Sequence, residues 1–212
     1  MNSDPRSEDT TLTLRDASQR LAAEAGEIIL LTGAVGSGKS LWLKRLAGVT
    51  DLPNNTSATI AGKKPGKAAG ETLMLFDRQP PLWLGQRVGE ELCFGLRTPP
   101  ASEVLTAVLS AWRLESLSPS AELSSLNRLQ AMRLSLATMA LAEPKLALLD
   151  SPTDSLPETD AITLRDDITA WAERSKTTVV VASNRWQDWQ SVATQHWQVT
   201  SRDDLPQRGA QA

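Results

Sequence analysis

The chain has 212 residues, 41% of them hydrophobic and 22% charged, and its 22 basic against 25 acidic side chains leave a formal net charge of −3. That balance excludes a nucleic-acid footprint over the whole protein. A single cysteine, Cys93, and a single histidine, His196, exclude an intrachain disulfide framework and the usual zinc ligand sets. A Ser-His-Asp mechanism would rest on His196 alone, and nothing else supports it. No stretch approaches the roughly 20 apolar residues that cross a bilayer. The polar, acidic residues 1–10 lack the apolar run of a signal peptide. The expectation is a cytoplasmic protein, held at a membrane only through something else.

In chain order, residues 1–10 read as a frayed end. Residues 26–32 form a short apolar run ending in a glycine cluster, the pattern of a buried strand. Residues 40–47 set Leu41, Trp42, Leu43 and Leu46 among basic side chains, as a helix does. Residues 72–76, 145–149 and 177–182 read as three more buried strands, and continuous apolar runs of this kind suit a parallel sheet covered on both faces. Between the second and third of these four strands the period becomes helical. Val104, Leu105, Val108, Leu109 and Trp112 repeat after the break at Pro99-Pro100. Leu126, Leu129, Met132, Leu136 and Met139 repeat until Pro144. Ala161, Leu164, Ile168 and Trp171 form a further apolar face. Residues 201–212 are polar and read as a second frayed end.

Gly33, Ala34, Val35, Gly36, Ser37, Gly38, Lys39 and Ser40 fit G-x-x-x-x-G-K-[ST] at every fixed position, between an expected strand and an expected helix. Glycines let the backbone curl so that several N–H groups face one anion-sized hollow, and the helix N-terminus adds partial positive charge. Lys39 is expected to reach the β- and γ-phosphates of a nucleoside triphosphate, and the Ser40 hydroxyl to bind Mg²⁺. Asp150, at the end of the run 145–149, supplies the acid that would hold the Mg²⁺ through water.

With these residues in place, the chain resembles the nucleotide-binding subunit of ATP-binding cassette (ABC) transporters from about Leu12 to Val199. Gly26-Glu27 before the loop and the 43–48 segment after it match the family's opening. Residues 79–85 with 88–92 and Phe94-Gly95 resemble its Q-loop region, and residues 144–153 resemble its Walker B segment. The resemblance implies an α/β P-loop NTPase fold, a RecA-like core with a mainly parallel sheet and an inserted helical subdomain. It implies one such domain over 11–200, with core 11–79 and 144–200 and insert 80–143, followed by the polar tail 201–212.

The implied site residues depart from the family's pattern in several places. Two registers compete for the signature Leu-Ser-Gly-Gly-Gln. One is 123–127, which keeps the serine. The other, preferred because it needs no gap, is Leu126, Asn127, Arg128, Leu129 and Gln130; it keeps Leu and Gln and aligns Arg133 with an arginine the family often has. Arg128 and Leu129 then stand where the family has glycines, and Asn127 can cap the helix. Ser151 occupies the place of the catalytic glutamate and Asn184 that of the switch histidine, so both positions lack the usual chemistry. Asp154 and Asp188 are nearby acids at positions that do not match the base. Gln79 is the expected Q-loop residue and Mg²⁺ contact by exporter-like spacing, whereas the spacing of other branches would align Asp77 or Arg78. The first aromatic residue is Trp42, so the family's base-stacking aromatic upstream of the loop has no counterpart.

The remaining singular residues have plainer readings. His196 reads as structural, Cys93 as a small core residue, and Glu90-Glu91 as a solvated helix start. Trp186, Trp189 and Trp197 read as packing of a C-terminal helix on the sheet. The resemblance implies an ATP-binding subunit that binds Mg-ATP and hydrolyses it weakly or only with a partner. Its expected partners are a membrane-spanning transporter subunit and a second nucleotide-binding subunit in a heterodimer or homodimer, without nucleic acid. It would lie at the membrane through those partners. Two other classes stay open: an ATP-sensing scaffold of the same fold, and a P-loop small-molecule kinase.

Overall fold

The computed structural model describes residues 10–67, 70–78, 81–96 and 98–209. Gln79 therefore lies outside the described residues. Among them, the chain runs β1 (Thr10–Arg15), β2 (Arg20–Glu24), β3 (Ile28–Thr32), α1 (Lys39–Leu46), β4 (Ser57–Ile60), β5 (Thr72–Leu75), α2 (Val88–Cys93), α3 (Ser102–Ala111), α4 (Arg128–Leu141), β6 (Leu146–Asp150), α5 (Glu158–Ser175), β7 (Thr178–Ala182), β8 (Gln195–Gln198) and β9 (Gln207–Arg208). The main sheet has the order β5-β6-β7-β3-β8-β9, parallel except for β9. A second, antiparallel sheet has the order β2-β1-β4.

Alternation along the central strands divides the core into two layers. In β3, Ile28 and Leu30 join the cluster beneath α5 and the helices inserted between β5 and β6. Ile29 and Leu31 join the cluster beneath α1 and the antiparallel sheet. In β6 and β7, Ala147, Leu149, Val179 and Val181 point to the first cluster, while Leu146, Leu148, Val180 and Ala182 point to the second. Because side chains alternate across a strand, an unbroken apolar run feeds both faces, which only a sheet covered on both sides can use.

The antiparallel sheet was not legible as strands, since each contributes only a few apolar residues inward: Leu12 and Leu14, Leu21 and Ala23, Ala58 and Ile60. The inserted layer holds α2, α3 and α4. Its α4 opens on a reciprocal cap, in which Asn127 Oδ1 accepts the Gln130 N–H at 2.9 Å and Gln130 Oε1 accepts the Asn127 N–H at 3.0 Å. Trp112, which follows α3, packs against Trp171 of α5 with ring centroids 5.7 Å apart and planes tilted by 57°.

Three sequence expectations are corrected. The segment after β8 is no frayed tail as far as Gly209. Val199 and Leu205 are buried in the second cluster, and β9 pairs with β8 through Trp197↔Arg208 and Gln198↔Gln207. The polar letters conceal this because backbone pairing and two apolar anchors hold the segment. Glu91 is likewise no solvated helix start: it is buried, and its carboxylate accepts the N–H groups of Leu84 and Gly85 at 2.9 and 2.8 Å. Trp189 and Trp197 are buried and Trp186 is partly exposed, but they sit in a 3-10 turn and in β8, not on a helix. Cys93 is half-buried. His196 Nε2 lies 2.6 Å from Thr32 Oγ1, a structural contact within the sheet.

Candidate functional site

Parallel strands bring the ends of β3, β7 and β6 to one edge of the sheet. The register places Leu31 opposite Ala182, and Ala182 opposite Asp150. Thr32 leads directly into the loop 33–40. A Cβ on Gly33 would lie 2.3 Å from the Val199 carbonyl oxygen and 2.6 Å from Ser37 Oγ, so only glycine fits there. Gly38 precedes α1 with φ of 110°, in the left-handed region that favours glycine. The loop thereby turns onto the N-terminus of α1.

Inside the loop, Lys39 Nζ donates to the carbonyls of Gly33 at 2.8 Å and Ala34 at 3.3 Å, spanning the hollow that an anion would enter. Ser40 Oγ donates to Asp150 Oδ1 at 3.0 Å. Asp150 is buried, and that burial is the main cause raising its carboxyl above the ordinary value of 3.8. Ser40's hydrogen bond and Lys44 pull it down, while the charges of Asp77 and Asp154 push it up. Ser37 Oγ is buried without a hydrogen-bond partner among the described residues. A crowded acid, a hydroxyl bonded to it and an orphaned hydroxyl in the loop fit a bound cation with a polyphosphate. Lys39, Ser40 and Asp150 are the residues that could hold them.

The loops beyond β6 and β7 are tied to each other. Ser151 has φ of 54°, and its N–H donates to the Ala182 carbonyl at 2.7 Å. Asp154 accepts the Ser183 hydroxyl at 2.5 Å and the Asn184 N–H at 2.9 Å. Arg185 donates to the Leu156 carbonyl at 3.0 Å. Ser151 and Asn184 thus lie in adjacent loops at the Asp150 end of the site, with Asn184 exposed. By sequence Asp154 is only an acid out of register with the family's base; its place as the tie between the two loops depends on the fold.

Residues 126–130 lie at the opening of α4. Leu126 and Leu129 pack on the first core cluster, and Arg128 Nη1 donates to the Ser155 carbonyl at 2.6 Å. That bond links the inserted layer to the loop after β6. The alternative register 123–127 forms a 3-10 turn, Leu123–Ser125, with Leu123 buried.

A family model described as ABC transporter matches residues 17–154, well over half of the chain. The chain belongs to the ABC transporter family. The cassette is 33% identical over 151 residues to an aliphatic sulfonates import ATP-binding protein, SsuB, of Corynebacterium glutamicum, across 69% of this chain and 58% of that protein. It is 32% identical over 142 residues to SsuB 2 of Pseudomonas fluorescens, across 66% of this chain and 49% of that protein. The chain thus spans about half the length of the curated relatives it matches. In fold it is similar to cbiO1 of Clostridium perfringens, part of the ABC transporter complex cbiONQ, with a TM-score of 0.78 at 17% identity over 95% of this chain and 89% of that one. At that identity the likeness speaks for the fold: an α/β P-loop NTPase core carrying an inserted helical layer.

As a cassette, the chain has the full glycine-lysine-serine pattern at 33–40 and an acid, Asp150, at the end of β6. Around them it presents a serine at 151, an asparagine at 184 and an arginine-leucine pair at 128 and 129. A groove of about 690 Å³ lies between the β5 edge and the inserted helices. Phe76, Leu82, Leu84 and Phe94 line it, each about half exposed or more. Among the described residues no helix is long and apolar enough to cross a membrane.

Proposed function

We propose that this cassette is the ATP-binding subunit of a membrane transporter, and that it contributes Mg-ATP binding far more than hydrolysis. The observation that carries the reading is the joined set of Lys39, Ser40 and Asp150 on an intact phosphate loop, next to Ser151. Ser40 and Asp150 would hold Mg²⁺, which would supply positive charge to offset that of the phosphates. Gln79, in the Q-loop segment, is the third proposed contact to it.

The chain's own residues account for binding. Loop N–H groups and the α1 N-terminus face the phosphates. Lys39 exchanges its carbonyl partners for phosphate oxygens, and Ser37 gains an acceptor. Hydrolysis lacks its base: the Ser151 hydroxyl is a poor proton acceptor at neutral pH, and positioned general bases contribute about 10²–10⁴-fold to rate. Asn184 can donate one neutral hydrogen bond where a histidine could supply a charged one.

The partners follow from the same reading. The signature segment 126–130 meets the nucleotide of a second nucleotide-binding subunit, whether a copy of this chain or a different one. A membrane-spanning subunit occupies the groove beside Phe76 and Phe94, which holds this soluble fold at the membrane. Exposed apolar residues concentrated in one concave surface mark such an interface.

The deciding experiment pairs Mg-ATP titration with steady-state hydrolysis, using Lys39→Ala as control. Lys39-dependent binding with negligible turnover supports the proposal. Brisk Lys39-dependent turnover overturns its second half, and transfer of phosphate to a small metabolite overturns the transporter reading.

A further inference from the structure

The segment following β8 crosses the outside of the phosphate loop, and one side chain there is placed against it. Arg202 lies along Gly38: a Cβ on that glycine would meet Arg202 Cγ at 3.1 Å and Arg202 Cα at 3.2 Å. Arg202 Nε donates to the Gly36 carbonyl at 3.4 Å. The backbone beneath is anchored by Arg45, from the helix that the phosphate loop opens. Arg45 donates through Nη1 to the Arg202 carbonyl, pairs with Asp203 at 3.3 Å and lies 5.0 Å over the Trp42 ring. Arg45 is buried, whereas Arg202 is exposed.

Sheet order says which part of a nucleotide lies near Arg202. The strands run β6-β7-β3-β8, with the phosphate loop following β3. Asp150, Ser151 and Asn184 follow β6 and β7 on one side of it, and with Ser40 they mark the metal and terminal-phosphate end. Arg202 follows β8 on the other side. A triphosphate laid along the loop with its terminal end at Asp150 carries its sugar and base away from β7, towards Arg202. Residues 1–41 contain no aromatic side chain that could stack on that base.

We infer that Arg202 is the nucleoside contact of this cassette, its planar guanidinium packing on the base or ribose of the bound nucleoside triphosphate. The inference rests on the nucleotide reading of the phosphate loop and extends it to the base. A guanidinium is flat, permanently charged and weakly hydrated, so it stacks on π faces as an ammonium group does not. Stacking of this kind is tolerant of base identity, because every base offers a π face. Gly38 lies against the stem and the Gly36 carbonyl accepts from the guanidinium Nε, which lowers the ordering cost of using a long side chain. The chemistry selected is a nucleoside triphosphate over a bare polyphosphate, with weak preference among purines.

Calorimetric titrations of the purified chain with Mg-ATP and with Mg-tripolyphosphate separate the two contributions. Arg202→Lys keeps the charge and the aliphatic stem but removes the plane. It is expected to weaken Mg-ATP binding about tenfold and leave Mg-tripolyphosphate binding unchanged. Arg202→Ala is expected to weaken Mg-ATP at least as much. Equal losses for both ligands in Arg202→Lys would overturn the proposal and make Arg202 a support of the loop. Unchanged Mg-ATP affinity would overturn it too. Failure of the unmodified chain to bind either ligand in a Lys39-dependent way would instead overturn the phosphate-loop reading, and the nucleoside contact with it.

Discussion

Ser40 and Asp150 are 110 positions apart in the chain, yet the serine hydroxyl donates to the carboxylate at 3.0 Å. The bond crosses from the start of α1 to the end of β6, and it draws a buried acid and a phosphate loop into one site. Burial lifts the Asp150 carboxyl above its ordinary value. The folded state therefore holds the Asp150 proton more tightly than the unfolded chain does. Charging this residue costs stability, and the cost grows as pH rises from 3.8 through the raised folded value, persisting above it. Asp150→Asn, which keeps an acceptor for Ser40, is expected to raise the ligand-free melting temperature at neutral pH and to abolish stabilisation by Mg-ATP. Its advantage shrinks as pH falls towards 3.8, where wild-type Asp150 is increasingly protonated. Thermal melts with and without Mg-ATP across pH check all three.

The proposed lack of a base at Ser151 offers a gain-of-function measurement. Ser151→Glu restores a carboxylate beside Asp150, and Asn184→His restores a group able to carry charge. Together they are expected to raise Lys39-dependent turnover by about 10²-fold or more. Turnover that stays at the wild-type level would overturn the proposal that the residues at 151 and 184 limit hydrolysis.

Asp154 fastens the loop after β6 to the loop after β7, through Ser183 and the Asn184 N–H. Asp154→Ala leaves those donors without their carboxylate, a loss of about 1–3 kcal/mol for charge-assisted bonds. Faster hydrogen exchange at Asn184 is expected, with Mg-ATP affinity nearly preserved because the phosphate loop is untouched. Unaltered exchange would show that Arg185's bond to Leu156 suffices to hold the loop.

Asp167 of α5 joins the inserted layer to the core. Its Oδ2 accepts Arg133 Nε and Nη2 at 2.9 and 2.8 Å, and its Oδ1 pairs with Arg113 Nε at 2.9 Å. Asp167→Ala strands the buried Arg133 charge and is expected to cost about 3–5 kcal/mol. Arg113→Ala removes an exposed partner and is expected to cost about 1 kcal/mol or less. Chemical denaturation of both variants measures the asymmetry.

Dense local information made much of this chain readable from its letters. The glycine spacing and Lys39-Ser40 specify a phosphate loop because the backbone curl, the anion hollow and the helix start all arise within eight consecutive residues. β3, β6 and β7 were legible because strands buried on both faces are apolar at nearly every position, and the half-buried edge strand β5 by its shorter apolar run. α4 was legible by its period, and its cap by Asn127, whereas the return bond to Gln130 appeared only in the structure. The small antiparallel sheet was not, since two inward residues per strand make too weak a pattern. Glu91 misled because its partners are two backbone N–H groups behind it in the chain, which no side-chain pattern announces.

What the sequence determined by itself was the loop, its lysine and serine, the acid at 150, and a serine at 151 and an asparagine at 184, all properties of residue identity at fixed local spacing. Tertiary structure alone decided that Ser40 bonds Asp150, that Asp154 ties two loops, and that Arg202 lies against Gly38. These contacts depend on which strand ends become neighbours. Strand order is set by how the two apolar faces of the sheet are covered, a packing outcome spread over the whole chain. A polar tail such as 201–209 then acquires its place because an edge strand and two buried apolar residues hold it beside the phosphate loop.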